Sequence, residues 1–173
     1  FKMTDYTITI TPAENGTITA DKETANMGET VTLTVTPNEG YELDQLTVMN
    51  GTTQVAVEIT TEGKYTFVMP AGNVEVSATY KAIYYDIVIV PPVSGNVTAD
   101  KETANYGETV TLTITPNEGY EFDQLTVMNG TTQVAVTITT EGKYTFVIPA
   151  GNVVISTLFK MVDYTVTITP AEN

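Results

Sequence analysis

The sequence predicts an all-β chain of two tandem small antiparallel β-sandwich repeats, immunoglobulin-like in layout and about 79 residues each. Three observations lead there: an internal repeat, a hydrophobic period of two, and turn signals at short intervals. The chain opens on FKMTDYTITITPAEN and closes on FKMVDYTVTITPAEN, with a blurred copy, YKAIYYDIVIVPPVSGN, between them; Tyr6, Tyr85 and Tyr164 fall 79 residues apart. Repetition at a fixed period signals an array of like units. About fifty of the sixty positions in 21–80 recur in 100–159. The repeats are therefore read as 1–81 and 82–160, with 161–173 as the first strand of a third, so that the chain reads as a window on a longer array.

Within one copy, TDYTITITP, ETVTLTVTP, QVAVEIT and NVEVSATY alternate aliphatic residues with threonine or charge. Such alternation belongs to strands with one dry and one wet face. Threonine makes up roughly a fifth of the chain, and β-branched residues suit a pleated, half-buried surface. Ile8, Ile10, Val31, Leu33, Val35, Val55, Val57 and Ile59 are expected to point inward. Asn15-Gly16, Asn50-Gly51 and Asn129-Gly130 read as two-residue hairpin turns with both central residues at positive φ. Pro37 to Gly40 and Pro70 to Asn73 read as further turns. These breaks leave seven short strands per repeat. Only Lys22 to Asn26 offers a helical turn, so the alternative architecture is a β-grasp-like sheet wrapped over one short helix.

GETVTLTVTPNEGYELDQLTV followed by KYTFVMPAGNVEVSATY resembles the divergent internalin B-repeat modules of bacterial cell-surface proteins, and the resemblance covers both repeats. It implies a tandem extracellular module of an adhesin or wall-attached protein, with no catalytic site to carry over. Family members often carry a tryptophan shortly after the Gly-Tyr-Glu segment; Leu46 and Leu125 stand there in this sequence.

Composition narrows the chemistry. The chain has no Cys, His or Trp, and a net charge of −14. Thiolate and imidazole chemistry is therefore excluded. So is binding of nucleic acid or an anionic membrane surface, which depends on neutralising phosphates with basic residues. No apolar run approaches the ~20 residues of a membrane-spanning helix, so no membrane insertion is expected. Carboxylates recur at the same places in both copies, as in Glu29/Glu108, Glu42/Glu121 and Asp44/Asp123, which reads as solvation rather than catalysis. Asp21, Glu23, Glu39, Glu42 and Asp44 could offer oxygen ligands to calcium, but no stretch has the spacing of a calcium loop. No cofactor is expected. A Lys–Asn cross-link would need a buried lysine, whereas Lys22 and Lys64 adjoin turns.

The leading expectation is a non-catalytic spacer or stalk repeat of a bacterial cell-surface adhesin, extracellular, with neighbouring repeats as its partners. Tyr80, Ile83, Tyr84 and Tyr85 cluster where one unit meets the next and are expected to form the joint. The alternative is a weak multivalent binding module for glycan or a host matrix protein. Its candidate surface is the segment DQLTVMNGTTQ, unchanged between copies: Asp44, Gln45, Asn50 and Gln54, and Asp123, Gln124, Asn129 and Gln133. The closing strand near Tyr164 is expected to present an open edge.

Overall fold

The computed structural model describes residues 4–141 and 143–165. It divides into two compact units between Ile83 and Tyr84. All regular structure among the described residues is β-strand. The expected helical turn at Lys22 to Asn26 is instead a short edge strand, Thr24–Asn26. Its alternating burial explains the difference: Ala25 is 2% exposed and its neighbours are not.

The first unit contains β1 (Asp5–Ile10), β2 (Gly16–Ala20), β3 (Thr24–Asn26), β4 (Thr30–Pro37), β5 (Tyr41–Asn50), β6 (Thr53–Val55), β7 (Glu58–Ile59), β8 (Tyr65–Val68) and β9 (Val74–Ala82). Nine strands replace the expected seven because β3 is extended and QVAVEIT splits at Ala56-Val57. That split lets the chain cross from one sheet to the other. One sheet has the order β3-β1-β9-β5-β6 and the other β2-β4-β8-β7. Ile8, Val48, Val74 and Val76 from the first meet Ile18, Val31, Leu33 and Phe67 from the second in a single core. This is the β-sandwich that the period of two implied. One pairing departs from the antiparallel pattern: β1 lies parallel to β9, with Ile8 opposite Val74 and Ile10 opposite Val76. The sheet is therefore mixed. A parallel pair cannot be made by a hairpin, and here it joins the first and last strands of the unit. β1 thus pairs with two strands that follow it in the chain, β3 and β9.

The second unit repeats this plan with β10 (Tyr84–Ile89), β11 (Gly95–Ala99), β12 (Thr103–Asn105), β13 (Thr109–Pro116), β14 (Tyr120–Asn129), β15 (Thr132–Gln133), β16 (Val136–Ile138), β17 (Tyr144–Val147) and β18 (Val153–Met161). Its sheets run β12-β10-β18-β14-β15 and β11-β13-β17-β16, around a separate core that includes Val110, Leu112, Phe146 and Ile155. Leu46 and Leu125 pack at the margins of the two cores.

Most residues expected inside are buried or half-buried, but Ile59 is 68% exposed. It shares a face with Tyr65, its partner across the pair. However, β7 is the two-residue edge of its sheet, so nothing covers it from the other side. The turns also differ from expectation. Asn50 pairs with Thr53 as the last residue of β5, which leaves Gly51-Thr52 as the hairpin loop with φ +59 at Gly51 alone. Glycine in the first loop position is the type II′ pattern.

At Asn15-Gly16 it is Asn15 that takes positive φ, at 64°. Gly16 serves a different need: a β-carbon there would sit 2.3 Å from Tyr80 Cζ. The Tyr80 ring lies flush on this backbone, and its hydroxyl donates to the Thr17 carbonyl oxygen at 3.0 Å. In the second unit Phe159 lies on Gly95 in the same way, without the hydroxyl.

The second unit carries one defect. Thr157, 7% exposed, occupies the place of Ala78, and its Oγ1 has no hydrogen-bond partner. A buried hydroxyl left unpaired carries its desolvation cost uncompensated. Thr157→Val is expected to stabilise the second unit by ~1 kcal/mol, read as a later urea midpoint with an unchanged slope. An unchanged or earlier midpoint would contradict this account.

Candidate binding surface and family membership

The candidate segment begins at a kink. Leu43 pairs with Tyr80 and Gln45 with Thr79, so Asp44 is left over as a bulge in β5. Bulges redirect side chains at sheet surfaces, and here the Asp44 carboxylate accepts a hydrogen bond from Thr79 Oγ1 at 3.2 Å. The second unit has the same bulge at Asp123. Leucine replaces that threonine at position 158, and Asp123 instead lies 4.0 Å from Lys160 Nζ.

Beyond the bulge, Leu46, Val48 and Asn50 take the core-facing positions of β5, while Gln45, Thr47 and Met49 face outward. Gln54 sits opposite Met49 and joins the outward set. Gln45 and Gln54, like Gln124 and Gln133, therefore share an exposed face, but the other two candidates do not extend it. Asn50 is half-buried, and its amide covers Gly72, where a β-carbon would come within 2.7 Å of Oδ1. Asn129 covers Gly151 likewise. These asparagines pack over a glycine of their own unit instead of facing solvent. Sequence identity between copies had placed structural and exposed residues in one set; only the register separates them.

The residues expected at the joint each have a place within their own unit. Tyr80 is packed on Gly16, and desolvation, followed by the proximity of Tyr65, raises its phenol above the usual pKa. Ile83 donates its N–H to the Gly40 carbonyl oxygen at 2.8 Å. Tyr85 packs against the second core, and Tyr84 is 66% exposed.

Among the described residues no three Asp or Glu side chains converge as ligands for one ion. Several acids have structural employment instead. Asp21 accepts from the Thr32 N–H at 2.9 Å, and Asp100 from Thr111 at 2.8 Å. Glu29 and Glu108 accept from the backbone N–H of Asn26 and Asn105, which holds both carboxyls below their ordinary pKa. Lys64, Lys81, Lys101 and Lys160 each face a glutamate at 3.2–3.9 Å with side chains at least one-third exposed. None of these four has the burial that a Lys–Asn cross-link requires. The expected open edge near Tyr164 extends into 166–173, outside the described residues.

One concave feature recurs in both units. A cavity of about 210 Å³ beside β8 is lined by Thr30, Ala56, Thr66 and Val68. Its counterpart in the second unit, about 420 Å³, is lined by Thr109, Ala135, Thr145 and Val147. Glu58 is the one titratable side chain lining the first, and threonine, Thr137, takes its place in the second.

A family model described as the divergent InlB B-repeat domain matches residues 6–84 and again 85–163. The chain belongs to the divergent InlB B-repeat family. Both matches begin inside a first strand, β1 or β10, and each takes in the remaining strands of that sandwich. No curated protein and no solved structure matches the chain. As B-repeat modules, the two units are tandem copies of one domain type. The leucines at 46 and 125 give both B-repeats an aliphatic core margin at the position where the resemblance implied tryptophan.

Proposed function

We propose that the two B-repeats are spacer modules of a bacterial cell-surface protein, extracellular and passive, holding other parts of that protein away from the cell. The observation that carries this reading is the presence of two self-contained cores in sequence, each closed by its own strands. A spacer needs units that fold without a ligand, a cofactor or a partner. Net charge of −14 adds solubility and mutual repulsion between neighbouring molecules. We assign 161–173 to the start of a third repeat, and neighbouring repeats in the chain as the principal partners.

A second reading is favoured by the outward glutamines. Gln45 and Gln54 recur as Gln124 and Gln133 on the same face, and duplicated weak sites gain avidity without new contacts. Binding of the whole chain to glycan and host-matrix panels separates the two. A spacer gives no saturable signal. Saturable binding lost on Gln45→Ala and Gln124→Ala together would replace the spacer reading with the adhesive one.

A further inference from the structure

The two repeats are so alike that their differences are informative, and on one face most of those differences share a direction, Asp86 in place of Thr7 being the exception. Thr9, Thr11, Glu14, Glu75 and Thr79 of the first repeat correspond to Val88, Val90, Val93, Val154 and Leu158 of the second. All five replacements are exposed, from 42% at Val154 to 84% at Val93. They also lie together. Val88 sits opposite Val154 on the paired strands β10 and β18. The Val90 N–H bonds to the Ile155 carbonyl oxygen, which places Val90 beside the next residues of β18. Pro91, Pro92 and Val93 then fold over, leaving a cavity of about 360 Å³ against Leu158. In the first repeat the same place holds a polar contact, Thr11 Oγ1 donating to Glu75 at 2.7 Å. The second repeat has exchanged it for valine on both sides.

Contiguous exposed apolar patches rimmed by polar residues mark contact sites, and the exchanged charges indicate with what. Carboxylates are lost at the positions of Asp5, Glu14 and Glu75, and one is gained where Asp86 replaces Thr7, a net loss of two. A cationic partner would lose attraction by that change, whereas an acidic partner would be freed from repulsion. The rim carries both signs: Lys160 stands on the same face, 3.2 Å from Glu121, and hydrogen bonding to Glu121 holds its ammonium above the ordinary pKa. A rim of mixed sign opposite a copy of itself can pair across a two-fold axis.

We propose that this face of the second repeat, centred on Val88, Val93, Val154 and Leu158, is a self-association surface whose occupant is the same face of a second copy of the chain. Five part-exposed apolar side chains fall short of the roughly 800 Å² per partner of a stable complex. The association is therefore weak for one chain and becomes effective where many chains stand side by side. Salt strengthens it, because screening acts on the long-range repulsion between the acidic copies and leaves apolar contact intact.

Sedimentation equilibrium of the whole chain tests this. The average mass is expected to rise with protein concentration, and to rise at lower concentration in high salt. Restoring the first repeat's residues with Val93→Glu, Val154→Glu and Leu158→Thr should weaken association at least tenfold. The fold should persist, since those residues already serve the first repeat; far-UV circular dichroism checks that. A mass independent of concentration at every salt level overturns the proposal. Association that survives the folded triple variant overturns it too, and locates the contact elsewhere, at a strand edge or with a different occupant.

Discussion

Phe67→Ala is expected to unfold the first unit and leave the second standing. Phe67 is 2% exposed and sits on β8 directly opposite Val31, which is fully buried. Truncating a buried phenylalanine costs about 3–5 kcal/mol, because the transfer loss is compounded by the cavity left behind. At roughly 0.05–0.15 kcal/mol per residue, a unit of about 80 residues holds about 4–12 kcal/mol, and so small a core belongs at the low end of that range, where the loss matches the whole stability. The second core contains its own Phe146, also 2% exposed, and is a separate cluster. Amide correlation spectra should thus lose dispersion for 5–82 while 84–161 keep theirs. Phe146→Ala should give the reciprocal pattern. Loss of both halves from either substitution would show that the units do not fold independently.

Gly16→Ala should destabilise the first unit by about 2–3 kcal/mol, a large effect for one methyl group. Three atoms of the Tyr80 ring lie within 2.6 Å of the place a β-carbon would occupy. The ring cannot retreat without abandoning its hydrogen bond to Thr17. The decisive measurement is a double-mutant cycle with Tyr80→Ala in urea unfolding. Once the ring is gone the methyl has room, so the two losses should fall well short of additive. Strict additivity would mean that the contact is not the source of the cost.

These two sites show how unevenly the sequence exposes its structure. The period of two identified strands, sandwich and most of the core correctly, because alternation is a direct consequence of the pleat. It failed at Ile59, where the alternation is intact but the strand is an edge, a property of topology rather than of spacing. It failed at Lys22 to Asn26, where five residues are too few to show a period at all. Asn15-Gly16 reads as a turn signal on composition, whereas Gly16 is required by a ring 64 residues away. The candidate surface was legible only in part. Gln45 and Gln54 face outward together, but the bulge at Asp44 changes which residues share a face. Nothing in a single strand's composition announces a bulge. The apolar cluster of the second repeat, by contrast, was visible in the sequence as replacements between copies. It acquired meaning only when β10 and β18 proved to be neighbours.

The parallel pairing of β1 with β9 has a mechanical consequence. Because the two strands run the same way, the chain enters each sandwich at one end and leaves at the other. From Asp5 to Ala82 that path spans up to roughly 35 Å at about 3.3 Å per residue. A tensile load applied through the chain pulls β1 and β9 in opposite directions along their common axis. The bonds at Ile8–Val74 to Ile10–Val76 then bear the load together, in shear, instead of peeling one after another. The match of Ile87–Val153 to Ile89–Ile155 places the same clamp in the second unit, so a pulled chain meets its resistance at the termini of each module.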